Sequence, residues 1–141
     1  MRLWHDDVRP PPKGWVWART NERAKELLSQ RLVTEISMDH DLGLHVLESD
    51  VPAPGEEDYW DKVIEIAYAT NTEDAETGLD LVEWMILKRL VPAKVTIHSW
   101  NPSGAMMMAT RLANNGHEVV VEPFDPKRRE REENKLRKKV D

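Results

Sequence analysis

Three short stretches carry side chains able to do chemistry: Asp6-Asp7, Asp39-His40-Asp41 and His98-Ser99-Trp100-Asn101. Carboxylates offer the hard oxygen ligands that Mg²⁺ or Mn²⁺ prefers, and imidazole can pass a proton near neutral pH. The densest stretch is Glu35-Ile36-Ser37-Met38-Asp39-His40-Asp41-Leu42-Gly43, which begins like a short buried strand and ends on a glycine that lets the chain turn. Two carboxylates flanking an imidazole repel one another. The cost falls if a divalent cation sits among them or if one carboxylate stays protonated. The same residues also suit a polar loop whose aspartates cap a turn, and the stretch alone does not decide between the two.

The elements that must position these residues alternate in type. Arg2 to His5 reads as a first strand, with Asp6-Asp7 at its end. Val8-Arg9-Pro10-Pro11-Pro12-Lys13-Gly14 follows and cannot be helical, because three consecutive prolines remove donors and force extended geometry. Trp15 to Arg19 reads as a second strand, but the short connection leaves its direction open. Ala24, Leu27, Leu28 and Leu32 mark one face of a helix over 20–32, which leads into the strand ending at Asp39. Residues 44–76 read as an insertion, with a Pro/Gly loop and then an amphipathic helix marked by Trp60, Val63, Ile64, Ala67 and Tyr68.

Thr77-Gly78-Leu79-Asp80 has the form of a capping box, opening a helix with Leu79, Val82, Ile86 and Leu90 on its core face and Pro92 beyond its end. Lys94 to Ile97 is the next strand, running into His98-Ser99-Trp100-Asn101. Pro102 and Ser103 start a helix to Asn115, with Gly116 as its cap and Met106, Met107 and Met108 as core filler. His117 to Val121 is a fifth strand.

This alternation predicts a three-layer, doubly wound α/β fold of about five mostly parallel strands in flavodoxin-like order 2-1-3-4-5, the first helix replaced by the Pro-rich loop. In that order strands one, three and four are neighbours, so all three polar stretches meet at the carboxyl edge of the sheet, where such folds bind ligands.

Whole-chain composition narrows the function classes. The 141 residues suit one domain over 1–125, followed by a charged tail over 126–141 that is helical or disordered. The net charge of −6 is uneven: the tail carries eight basic and four acidic residues, so the first 125 stand near −10. Such a body is a poor partner for duplex nucleic acid, whereas a small phosphorylated ligand held through a metal fits it. With no cysteine, thiolate chemistry and zinc-finger ligation are excluded. No run approaches a membrane span or a signal peptide, so a cytoplasmic location without membrane contact is expected; oligomeric state is not legible.

In this order the residues resemble the receiver domains of two-component signalling, with an acidic pair after strand one, an aspartate after strand three, a small hydroxyl, Ser99, after strand four, and a proline, Pro123, after strand five. Receivers carry a lysine before that proline, where this chain has Glu122, whose charge opposes a phosphoryl group on Asp39. The chain is more closely similar to the cyclic-phosphate processing receiver-like domain family of bacteria and phages. Leu3-Trp4-His5-Asp6-Asp7-Val8-Arg9-Pro10-Pro11, Trp15-Val16-Trp17, Ser37-Met38-Asp39-His40-Asp41-Leu42-Gly43, Thr77-Gly78-Leu79-Asp80-Leu81 and His98-Ser99-Trp100-Asn101-Pro102 carry the likeness, which spans residues 1 to about 124. The 44–76 insertion departs from the family pattern.

Residues and resemblance together lead to the expectation of metal-assisted hydrolysis of a cyclic phosphate or cyclic nucleotide. Asp6, Asp7, Asp39 and Asp41 are the candidate ligands for Mg²⁺ or Mn²⁺. His98, His40 and Asp39 are the candidate catalytic groups. Arg9, Ser99, Trp100, Asn101, Ser103 and Gly104 are the candidate substrate contacts, the last two through amides at a helix N-terminus and Trp100 by stacking on a base. Two alternatives stand beside it: a phage protein that sequesters a cyclic nucleotide without cleaving it, and a degenerate receiver acting by protein contact. His5, His45, His117 and the remaining tryptophans read as structural or surface residues.

Overall fold

A computed structural model describes residues 1–41 and 76–140, with side chains through 135. The expected insertion over 44–76 and its amphipathic helix lie outside the described residues, apart from Glu76. The strands are β1 (Arg2–His5), β2 (Val16–Ala18), β3 (Glu35–Met38), β4 (Lys94–Ile97) and β5 (Val119–Val121); the helices are α1 (Asn21–Ser29), α2 (Gly78–Lys88), α3 (Pro102–Asn114) and α4 (Pro126–Val140). The strands form one parallel sheet in the order β2-β1-β3-β4-β5, as expected. Residues 6–15 contain no helix. The direction of β2 is settled as parallel, because ten residues stretched by Pro10–Pro12 return the chain to the start of the sheet without a crossover helix. Among the described residues, no helix is long and apolar enough to cross a membrane.

The register places Leu3, Ile36, Val95 and Val119 in one row across the sheet and His5, Met38, Ile97 and Val121 in another, since facing residues of neighbouring strands point the same way. Against that face α1, α2 and α3 pack Ala24, Leu27, Leu28, Leu81, Val82, Met85, Ala105, Met108 and Leu112, making the main core. Burying each large aliphatic side chain contributes about 1.5–3 kcal/mol. The row between them, Trp4, Ser37 and Thr96, faces the other way, toward the Pro-rich loop and the first turns of α4.

Three details depart from the periodicity reading. α1 ends at Ser29 because Arg31 turns left-handed at φ 61°, so Leu32 is 60 % exposed instead of extending the core face. α2 buries Gly78, Leu81, Val82 and Met85, a stripe rotated from the one expected, because its first turn is pressed against β3 at Gly78. Of the three consecutive methionines only Met108 is core; Met106 and Met107 fall on the outer face of α3.

Candidate active site at the carboxyl edge

β1, β3 and β4 are adjacent and parallel, so the turns after them share one edge. Asp6 is the best-anchored group there. Its Oδ1 accepts from the Val8 and Arg9 amides at 3.0 and 2.9 Å, and its Oδ2 accepts from Arg9 Nη1 at 3.1 Å and His98 Nε2 at 2.9 Å. Burial opposes ionisation of Asp6, but the Arg9 guanidinium and the His98 hydrogen bond outweigh it and hold its carboxyl below the usual range.

Asp39 is equally buried but worse served. Among the described residues its Oδ1 accepts from the His40 amide at 2.9 Å and its Oδ2 has only a 3.4 Å contact with Arg9 Nη1. Burial and the nearby charge of Asp6 push its pKa well above the ordinary carboxylate value, with Arg9 opposing. Two neighbouring carboxylates sharing one cation thus differ, because among the described residues one has four donors and the other two.

Asp6, Asp7 and Asp39 each present an oxygen within 4.8 Å of the others, a spacing that a single cation spans. Asp6 has its four acceptor directions already used, so direct coordination there means displacing Arg9 or His98. The donor set fits a hard divalent ion best through Asp7 and Asp39, with Asp6 fixing the turn. Asp41 stands apart from these three. Its Oδ1 meets His40 Nδ1 at 2.6 Å and Asn101 Nδ2 at 3.2 Å, and the His40 hydrogen bond lowers its pKa.

Arg9, an expected substrate contact, lies between Asp6 and Asp39, 2 % exposed, with its guanidinium 4.0 Å from the Trp100 ring centre. Among the described residues its Nε has no hydrogen-bond partner, and the guanidinium lies over the ring of Trp100 and, at 5.5 Å, that of Phe124. Trp100 donates its indole N–H to the Phe124 carbonyl at 2.5 Å. The indole expected to stack on a base therefore has Arg9 over its ring.

Both ring nitrogens of His98 are engaged: Nε2 with Asp6, and Nδ1 with Ser37 Oγ at 2.8 Å. The arrangement suits a neutral imidazole that donates from Nε2 and accepts the serine hydroxyl at Nδ1. Burial lowers the His98 pKa accordingly, against the pull of Asp6. The ring lies flat on Trp4, centroids 4.0 Å apart and planes 2° from parallel.

His40 is more open. Its Nδ1 side is fixed by Asp41, and its ring lies against Gly104, where an added Cβ would come within 2.4 Å of His40 Cγ. The glycine is therefore needed for the approach of α3 to this turn.

The start of α3 is built for capping. Asn101 Oδ1 accepts from the Gly104 amide at 2.9 Å, its carbonyl accepts from the Ala105 amide at 2.9 Å, and Ser99 Oγ accepts from the Asn101 amide at 3.0 Å. Of the expected phosphate-binding amides, Gly104 is thus already partnered, and Ser103, which is exposed, is the other residue of that turn. Glu122, at the position receivers fill with lysine, points to α4 and pairs with Arg128 at 2.5 Å.

Sequence reasoning missed Ser37 and Asn21. Asn21 takes His5 Nε2 at 2.8 Å on its Oδ1 and donates to the Thr77 carbonyl at 3.0 Å, tying β1 to the start of α2. A period-two reading of the strands held a signal for Ser37: a hydroxyl between Ile36 and Met38, on the same face as Thr96 and His98.

A parallel five-stranded sheet in this order, with acids at the turns after β1 and β3, defines a receiver-like domain. A model of the cyclic-phosphate processing receiver domain matches residues 1–114, and the chain belongs to that family. Among the curated proteins and the solved structures, nothing matches it.

Proposed function

We propose that the protein is a metal-assisted phosphoesterase acting on a cyclic phosphate or cyclic nucleotide. The observation that carries this reading is the convergence of Asp6, Asp7 and Asp39 within 4.8 Å, two of them buried, in a chain of the cyclic-phosphate processing family. Asp7 and Asp39 would hold Mg²⁺ or Mn²⁺, which supplies charge to a phosphate oxygen and acidifies a water. Without that charge an anionic substrate would meet the carboxylates of Asp6, Asp7 and Asp39 with Arg9 already committed to two of them.

The chain's own groups divide the remaining work. Arg9 and His98 fix the turn that carries Asp7 by gripping Asp6. His40 is the base: with Nδ1 held by Asp41, its Nε2 is the nitrogen left to accept a proton. Water oxygen bonds to phosphorus, the ring P–O bond breaks, the water proton passes to His40 Nε2, and the departing sugar oxygen takes a proton from solvent or from His40 in return. His98 acts by orienting Asp6. His40→Ala then lowers kcat on the order of 10²- to 10⁴-fold, and His98→Ala lowers it through misplacement of Asp6.

A panel of 2′,3′-cyclic, 3′,5′-cyclic and cyclic oligonucleotide substrates, incubated with and without Mg²⁺ or Mn²⁺ and read by mass, tests the reading. Gain of one water in a metal-dependent, chelator-sensitive manner supports it. A second reading, sequestration without cleavage, is favoured by the way Arg9 already neutralises part of the cluster; it predicts a bound ligand returned intact.

A further inference from the structure

The family match ends at residue 114, yet α4, which begins at Pro126, reaches the back of the acidic site. Lys127, Arg128 and Arg131 of its first turns are exposed, whereas Arg129 is 7 % exposed. The Arg129 guanidinium donates to the Pro10 carbonyl at 2.6 Å and lies 4.9 Å from the Trp4 ring centre and 5.0 Å from that of Phe124. Burying a guanidinium costs several kcal/mol unless it is well paired, and the Pro10 carbonyl and the two rings help to offset that cost where α4 docks.

Two short routes run from Arg129 to Asp6. One passes through Pro10 to Arg9, whose amide and guanidinium both hold Asp6. The other passes through Trp4, whose indole N–H donates to the Arg9 carbonyl at 2.8 Å and whose ring carries His98, which donates to Asp6.

We propose that Arg129 is a positioning residue of the acidic site, and that α4, docked by it, holds the Arg9 turn and the His98 ring in place around Asp6. The inference rests on the functional reading above for its significance, but its test does not use turnover. Hydrogen exchange by NMR reads the site directly, at the Val8 and Arg9 amides that donate to Asp6 and at the Trp4 indole.

In Arg129→Ala these three protons exchange on the order of tenfold faster, while the His98 amide, bonded to the Met38 carbonyl inside the sheet, keeps its rate. Arg129→Lys, which retains the charge, recovers part of the protection. Unchanged exchange at Val8, Arg9 and Trp4, an equal acceleration at His98, or no recovery by lysine overturns the proposal. If Arg129→Ala does not fold, Arg129→Gln is read in the same way. A wild-type protein that turns over no substrate removes the functional reading and leaves this exchange result standing.

Discussion

At the scale of residues, the site is a set of unequal carboxylates. Asp6 has been given four donors and is an anchor; Asp39 has been left short and is costly to ionise. Asp39→Asn removes a buried charge facing Asp6 while keeping the shape, so the metal-free protein should gain stability at pH 7. Urea unfolding checks this, and a loss of stability would mean that the Arg9 contact outweighs the burial. Much of this inequality was invisible in the sequence. Adjacent letters such as Asp6 and Asp7 look alike, and only the path of residues 6–9 decides which carboxylate turns back onto its own amides. The pairing of Arg9 with both carboxylates was hidden for the same reason: its partners lie three and 30 residues away.

At the scale of elements, periodicity and capping carried the argument well. Thr77 to Asp80 does open α2, with the Asp80 carboxylate accepting from the Thr77 amide at 2.8 Å, and Asn101 with Pro102 opens α3. The two glycines at these starts have steric reasons that local pattern does not express. A Cβ on Gly78 would lie 2.0 Å from the Asp39 carbonyl oxygen, a backbone atom that cannot swing aside. Gly78→Ala should therefore cost about 3 kcal/mol or more and displace the Asp39 turn. Thermal or urea denaturation reads the first effect, and loss of cation binding the second. Gly104→Ala meets the His40 ring instead, so it should spare stability relative to Gly78→Ala and fall mainly on turnover. The ends of α1 and the face of α2 escaped the sequence because a left-handed residue at Arg31 and a close approach at Gly78 are tertiary decisions.

For the whole molecule, the sheet order brings separate acidic and imidazole-bearing turns together, and this was the most legible part of the chain, since alternating strands and helices point to a parallel sheet whose flavodoxin-like order makes strands one, three and four neighbours. The same sheet buries His5, which burial lowers to a pKa of about 4 despite its bond to Asn21. Unfolded His5 takes a proton below about 6.5 and the folded protein resists it down to about 4, so stability is full above 6.5 and declines as the pH falls between them, by about 3 kcal/mol. His98 is shifted in the same direction and adds to the decline. Asp39 works oppositely, favouring the folded state where it is protonated. His5→Gln should flatten the fall measured by denaturation between pH 6.5 and 4, and an unchanged slope would assign it to other groups.

The central claim is that turns after β1 and β3 jointly hold one divalent cation. Mn²⁺ titration followed by electron paramagnetic resonance, on the wild type and on Asp7→Asn, Asp39→Asn and Asp41→Asn, measures it most directly. One site that survives Asp41→Asn and is lost in both other variants is the predicted result. A wild type that binds no Mn²⁺, or binding that persists without Asp7 and Asp39, would contradict the account.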